Sequence, residues 1–254
     1  MRTLPRIIGC CFLAALTTTA FAQSSGNFTY GTGVDSSGNP LTTACVLQQN
    51  GQISGGIQCE QTCTLNADGS TTCTPANGPT QDCVGNAYAA IKTSSGAGNV
   101  FVVRPSAVIG LLTDVTVNSK QNSAVSSALA GIDFTVDVSP AGSQTAPTVI
   151  PNYSLTYDAR YVQISTNLFS VLSTQCAAVA GGCFITFNES TVSAHSFDWI
   201  ATNLSTGQYN VTTHWQPSAG FGVSGIGEAL ACVGPVNMTV QQNKIFHFNS
   251  VNSF

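Results

Sequence analysis

Charge is what this 254-residue chain has least of. Only 7% of its residues are Asp, Glu, Lys or Arg, against about 25% in an ordinary soluble domain. No Lys or Arg falls between Arg6 and Lys92, and the formal net charge is −4. The counterion release that drives nucleic-acid binding therefore has almost nothing to work with. Long apolar runs are missing too: Ile7 to Leu16 is about half of what a membrane-crossing helix needs, and no later stretch is longer. With three His there is little material for a metal centre. Intrinsic disorder is excluded by composition, since it requires low hydrophobicity with high net charge, and 43% of this chain is hydrophobic. The length allows one large or two small domains with a real core.

What is present begins with an export signal over residues 1–22. Arg2 and Arg6 form its positive start, Ile7 to Leu16 its apolar centre and Ala20-Phe21-Ala22 its cleavage pattern, so the mature chain is expected to start at Gln23. Ile7-Ile8-Gly9-Cys10 lies too early to act as a lipoprotein box. Eight cysteines remain after cleavage: Cys45, Cys59, Cys63, Cys73, Cys83, Cys176, Cys183 and Cys232. An even count in an exported chain reads as a disulfide framework, with 105 possible pairings. Cys59 and Cys63 have a zinc-compatible spacing, but no second close pair and no His stands near them. Neither metal nor cofactor is expected.

Two bridges follow from local geometry. Ala67-Asp68-Gly69 suits a three-residue hairpin loop with Gly69 left-handed; Asn66 then faces Ser70, and Cys63 faces Cys73. Cys176 and Cys183 close a small Gly-containing loop. Five cysteines lie in the N-terminal part and three in the C-terminal part, so parity demands a bridge between the parts, with Cys232 as its C-terminal end.

Residues 23–98 read as a Cys-rich, turn-rich hairpin region, punctuated at Asp35 to Pro40, Asn50-Gly51 and Asp68-Gly69. Residues 99–254 read as an all-β domain, an antiparallel β-sandwich of immunoglobulin-like or jelly-roll type. Ile132, Phe134, Val136 and Val138 alternate with polar residues as a half-buried strand does. Val100–Val103, Thr113–Val117, Ser154–Tyr157, Phe184–Phe187, Ala229–Val233 and Asn237–Val240 are further short strands, the last two separated by Gly234-Pro235. Asn122–Ala130 is expected to form two helical turns before Gly131; Asn167–Ser173 is ambiguous between helix and strand. Ala194–Ala201 and Gln208–Gln216 are expected to form a hairpin around Asn203–Gly207. Its odd-numbered Phe197, Trp199, Tyr209, Val211 and Trp215 would face the core, and Ser196, Asp198 and His214 the other side.

That face would bring together the residue types of a serine hydrolase, although a mid-strand Ser lacks the strained elbow and oxyanion donors such enzymes use. By the same parity His195 and His214 point to opposite faces, which speaks against zinc; His247, in the apolar tail, reads as a strand residue. Asp133 and Asp137 stand about 13 Å apart along one strand, beyond the roughly 5–9.5 Å of glycosidase pairs. Gly220-Phe-Gly222-Val-Ser-Gly225 matches a dinucleotide fingerprint in letters only, without its βαβ context. Trp199, Tyr209 and Trp215 are expected to pack in the core rather than form a sugar platform. Six Asn-x-Ser/Thr sequons begin at Asn27, Asn152, Asn188, Asn203, Asn210 and Asn237, scarcely more than chance in so Asn-, Ser- and Thr-rich a chain.

The expectation is a secreted, non-catalytic, extracellular or cell-surface structural or binding protein, with an extracellular protein or glycan as partner. The alternatives are a secreted hydrolase using Ser196, His214 and Asp198, a carbohydrate-binding module, and an outer-membrane barrel. Ser250, Asn252 and the eight cysteines weigh against the barrel.

Overall fold

The computed structural model describes residues 27–75, 83–94, 98–167, 169 and 173–244. The expected export signal and His247 lie outside them. Of the described residues 66% are strand and 3% helix, so the protein is all-β. Fifteen strands follow one another: β1 (Phe28–Asp35), β2 (Val46–Leu47), β3 (Ile53–Ser54), β4 (Ile57–Leu65), β5 (Thr71–Pro75), β6 (Gly85–Lys92), β7 (Asn99–Asn118), β8 (Val125–Pro140), β9 (Thr148–Ile150), β10 (Leu155–Ser165), β11 (Phe184–Ser196), β12 (Trp199–Thr202), β13 (Gln208–Pro217), β14 (Gly222–Ser224) and β15 (Ile226–Lys244). Among the described residues a single short α-helix, α1 (Ser173–Ala177), precedes β11.

Thirteen strands make one continuous antiparallel sheet, ordered β10-β8-β13-β6-β1-β15-β7-β12-β9 along its main path. The sheet curls so that its two halves face each other across a shared core. The turning point is β1. Phe28 to Thr32 pair with β15 in one half, and Gly33 to Asp35 pair with β6 in the other. Glycine permits this change of partner: a Cβ on Gly33 would lie 2.6 Å from the Val236 Cβ, and one on Gly31 would strike the Tyr88 backbone. The expected sandwich of two sheets is thus a single sheet folded over.

The core follows from alternation in the long strands. Val103, Ile109 and Leu111 of β7, Ala231, Val236 and Met238 of β15, and Ile132 and Phe134 of β8 all point inward and are buried. They meet Tyr209, Val211 and Trp215 of β13 and Trp199 of β12. Polar residues alternate outward on β8 and β13, among them Asp137, Thr212 and His214. An apolar interior with a polar exterior is the reverse of a membrane barrel. No described helix is long and apolar enough to cross a membrane.

β7 and β15 also carry apolar residues on their outer face, because something covers it. Cys45, Ile53, Leu112, Leu230 and Cys232 form a second small cluster there, with the β2–β3 hairpin laid over Gly110. The Cys45–Cys232 disulfide ties this flap down across a sequence separation of 187. The other pairs are Cys59–Cys83, Cys63–Cys73 and Cys176–Cys183. Cys63 faces Cys73 in the β4–β5 register, Asn66 N–H donates to Ser70 O, and Gly69 has φ 83°. Apart from the separate β2–β3 pair, the strands before residue 98 are woven into the same sheet as those after it, since β1 and β4 both pair with β15, β5 pairs with β4 and β6 pairs with β13.

Several local expectations are overturned. Asn122–Ala130 is not helical: Val125 onward is β8, where Ala128 and Ala130 are buried and every residue from Val125 to Ala130 pairs with β10. Its apolar residues suited a helix face, but long-range pairing outweighed a weak local preference. Ala229–Val233 and Asn237–Val240 are one strand, with Gly234-Pro235 absorbed as an irregularity between Val233 and Val236. Val100–Val103 and Thr113–Val117 are likewise parts of β7. Pro105 fits within β7 because it stands in the gap where β11 has ended, opposite Ser106, and β12 has not yet begun, opposite Val103, so it lacks a partner on that side. The expected hairpin does not form. β12 pairs with β7 and β9, whereas β13 pairs with β6 and β8 in the opposite half of the sheet.

Candidate functional site

Because β12 and β13 belong to opposite halves, Ser196, Asp198 and His214 are separated. Ser196 ends β11 opposite Ser106. Asp198 makes a two-pronged contact with Arg104, with both N–O distances 2.6 Å. The hydrogen bonds from Arg104 hold the Asp198 carboxyl below the usual carboxylate range. His214 lies on the outer face of β13, its Nδ1 bonded to Asn86 Oδ1 and its Nε2 3.4 Å from Asp137 Oδ2. These three residues therefore do not converge as nucleophile, base and acid. Phe197, expected in the core, is 48% exposed, while Trp199, Tyr209, Val211 and Trp215 are buried together. The tryptophans therefore cannot serve as a surface sugar platform.

A different Ser–His–Asp set occurs where the edge strands β10 and β11 approach. Ser193 Oγ is 2.6 Å from His195 Nε2 and donates to Asp158 Oδ2 at 3.2 Å; the same Nε2 is 3.4 Å from that carboxylate. Serine and aspartate thus share one ring nitrogen. A relay needs them on opposite nitrogens, with the acid orienting the base, so this geometry does not activate Ser193. It fastens the seam of the curled sheet, together with Arg160, which donates to Glu189 at 2.8 Å and to Thr191 at 3.3 Å. Tyr157 completes the seam. Its ring stacks on Phe134 with centroids 4.0 Å apart, its hydroxyl donates to Pro105 O, and burial pushes its phenol pKa upward. Residue spacing could not reveal this set, because Asp158 and His195 meet only through tertiary packing.

A groove of about 410 Å³ lies between β8 and the segment 147–153. Thr135 and Asp137 form one wall, and Thr148, Asn152 and Tyr153 the other. β13 sets the first wall through its pairing with β8; β12 sets the second through its pairing with β9. Tyr153 is 64% exposed. In the sequence Asp137 stands out only as half of a carboxylate pair spaced too widely for a glycosidase, and Tyr153 and Asn152 carry no signal beyond a sequon. No group of three or more His, Cys, Asp or Glu among the described residues could hold a metal. No protein-family model matches the chain, and no curated protein matches its sequence.

Proposed function

We propose that this is an exported, disulfide-stapled protein that acts outside the cytoplasm or at the cell surface as a non-catalytic binding or structural module. The observation that supports this reading best is the cysteine pattern: all eight cysteines outside the export signal are engaged in disulfides, a state that persists in oxidising compartments and not in a reducing cytosol. A polar, weakly charged exterior over a packed core suits a stable display scaffold, and the separation of Ser196, Asp198 and His214 leaves the hydrolase alternative without its machinery.

The test is intact-mass analysis of protein recovered from its native compartment, with and without reduction, together with a serine-directed phosphonate probe. The expected result is a chain beginning at Gln23, eight hydrogens lighter before reduction, and unlabelled by the probe. Two or more titratable thiols in the native protein would overturn the exported reading. Labelling at Ser196 or Ser193 would overturn the non-catalytic one.

A further inference from the structure

The proposed binding role is deepened by the groove beside β8, and the inference here rests on that reading. Among the described carboxylates, Asp35, Glu60, Asp68, Asp114, Asp133, Asp158, Glu189 and Asp198 each accept a hydrogen bond. Asp137 and Glu228 do not. Glu228 is only partly exposed, but the Asp137 side chain is 73% exposed and lines the groove. It is nonetheless oriented: His214 stands 3.4 Å from its Oδ2 and is itself anchored to Asn86. Opposite it, Asn152 and Tyr153 form no hydrogen bond with any described residue, so an amide and a phenol face solvent uncommitted. The groove thus collects a positioned acceptor, an amide that can both donate and accept, the Thr135 hydroxyl and an exposed aromatic ring.

We propose that this groove is a binding site for a neutral saccharide. A sugar ring presents hydroxyls around its edge and C–H groups on its faces. Vicinal hydroxyls can donate to the two oxygens of Asp137 while Asn152 bonds a third, and the Tyr153 ring can cover a C–H face, as amphipathic aromatic side chains do. The single charge in the lining is negative, so anionic sugars and phosphates are repelled. The site is also preorganised. Pro147 and Pro151 flank β9 on one wall, where a restricted φ limits the conformations lost on binding. The opposite wall is a paired strand.

The experiment screens the full, disulfide-bonded mature protein against immobilised neutral oligosaccharides (glucans, mannans, xylans and chito-oligosaccharides), then measures soluble hits by titration calorimetry. Material from a host without N-glycosylation keeps Asn152 free. The expected result is binding of at least one neutral saccharide, weakened tenfold or more by Tyr153→Ala and by Asp137→Asn. Phe184→Ala, which alters another exposed aromatic on β11, should leave it unchanged. Absence of any saccharide binding would overturn the proposal, as would binding that survives both groove variants. Capture of a basic peptide by Asp137 in place of sugars would overturn the saccharide assignment while leaving the broader binding role standing.

Discussion

Substituting Gly85 by Ala tests the central packing of the protein. Gly85 is the register partner of Trp215 at the start of β6, and the indole lies against it. A Cβ there would stand 2.1 Å from Trp215 Cζ2 and 2.4 Å from Val34 O. Non-bonded carbons prefer about 3.5–4.0 Å, so the ring would have to retreat by roughly 1.4 Å. It has nowhere to go. Trp215 is 1% exposed, Phe134 stacks beside it with centroids 5.9 Å apart, and a Cβ on Gly33 would already lie 3.0 Å from its Cη2. Overpacking costs about 1–3 kcal/mol when neighbours can adjust; here one obstacle is backbone and the other a locked ring, so about 3 kcal/mol is expected. Trp215→Phe removes the clashing ring atoms and an indole N–H that has no partner among the described residues. On that background Gly85→Ala should cost about 1–2 kcal/mol less, a favourable coupling in a double-mutant cycle. Urea unfolding with the disulfides intact provides the measurement, with Trp199, itself fully buried, as a fluorescent reporter in every variant. A Gly85→Ala loss under about 1 kcal/mol, or additivity within about 0.5 kcal/mol, would refute the placement of Trp215 in this slot.

Three further outcomes are expected. Non-reducing peptide mapping should recover Cys45–Cys232, Cys59–Cys83, Cys63–Cys73 and Cys176–Cys183. With sequence separations of 187 and 7, loop-closure entropy predicts that removing the first bridge costs about 5 kcal/mol and removing the last about 2 kcal/mol. Burial raises the Glu228 pKa above its ordinary 4.5, and the neighbouring Glu60 and Asp114 carboxylates reinforce the shift. The folded state then holds this proton more tightly than the unfolded chain, so stability falls as pH rises from about 4.5 through the raised folded value. Glu228→Gln should therefore be more stable than the parent at pH 7 and equal to it below about pH 4 in thermal melts at both pH values. Arg104→Ala, despite its two short contacts, should cost less than about 1 kcal/mol, because the Arg104 and Asp198 side chains are 55% and 40% exposed; a larger loss in urea titration would show that the pair is far better shielded than its exposure implies.

Composition, alternation and cysteine parity determined much of this protein without its structure. Short alternating segments between frequent turn signals specify an all-β chain. The period-two pattern of Ile132 to Val138 places those side chains inward whichever strands pair with them, because it depends only on the backbone pleat. The Cys63–Cys73 register depends on one turn, and the link from Cys232 to the N-terminal part depends on counting. Parity also placed Trp199 and Trp215 in the core, but for a reason the structure replaces: they reach it from opposite halves of the curled sheet, not side by side in a hairpin. What tertiary structure alone decided is which strands are neighbours. The chain crosses between halves from β12 to β13, so Ser196, Asp198 and His214 part company. The same kind of crossing, from β10 to β11, brings Asp158 to His195, and the pairing of β9 with β12 sets Tyr153 across the groove from Asp137. Strand pairing is chosen by the total burial of many side chains far apart in sequence. No spacing within one segment encodes it.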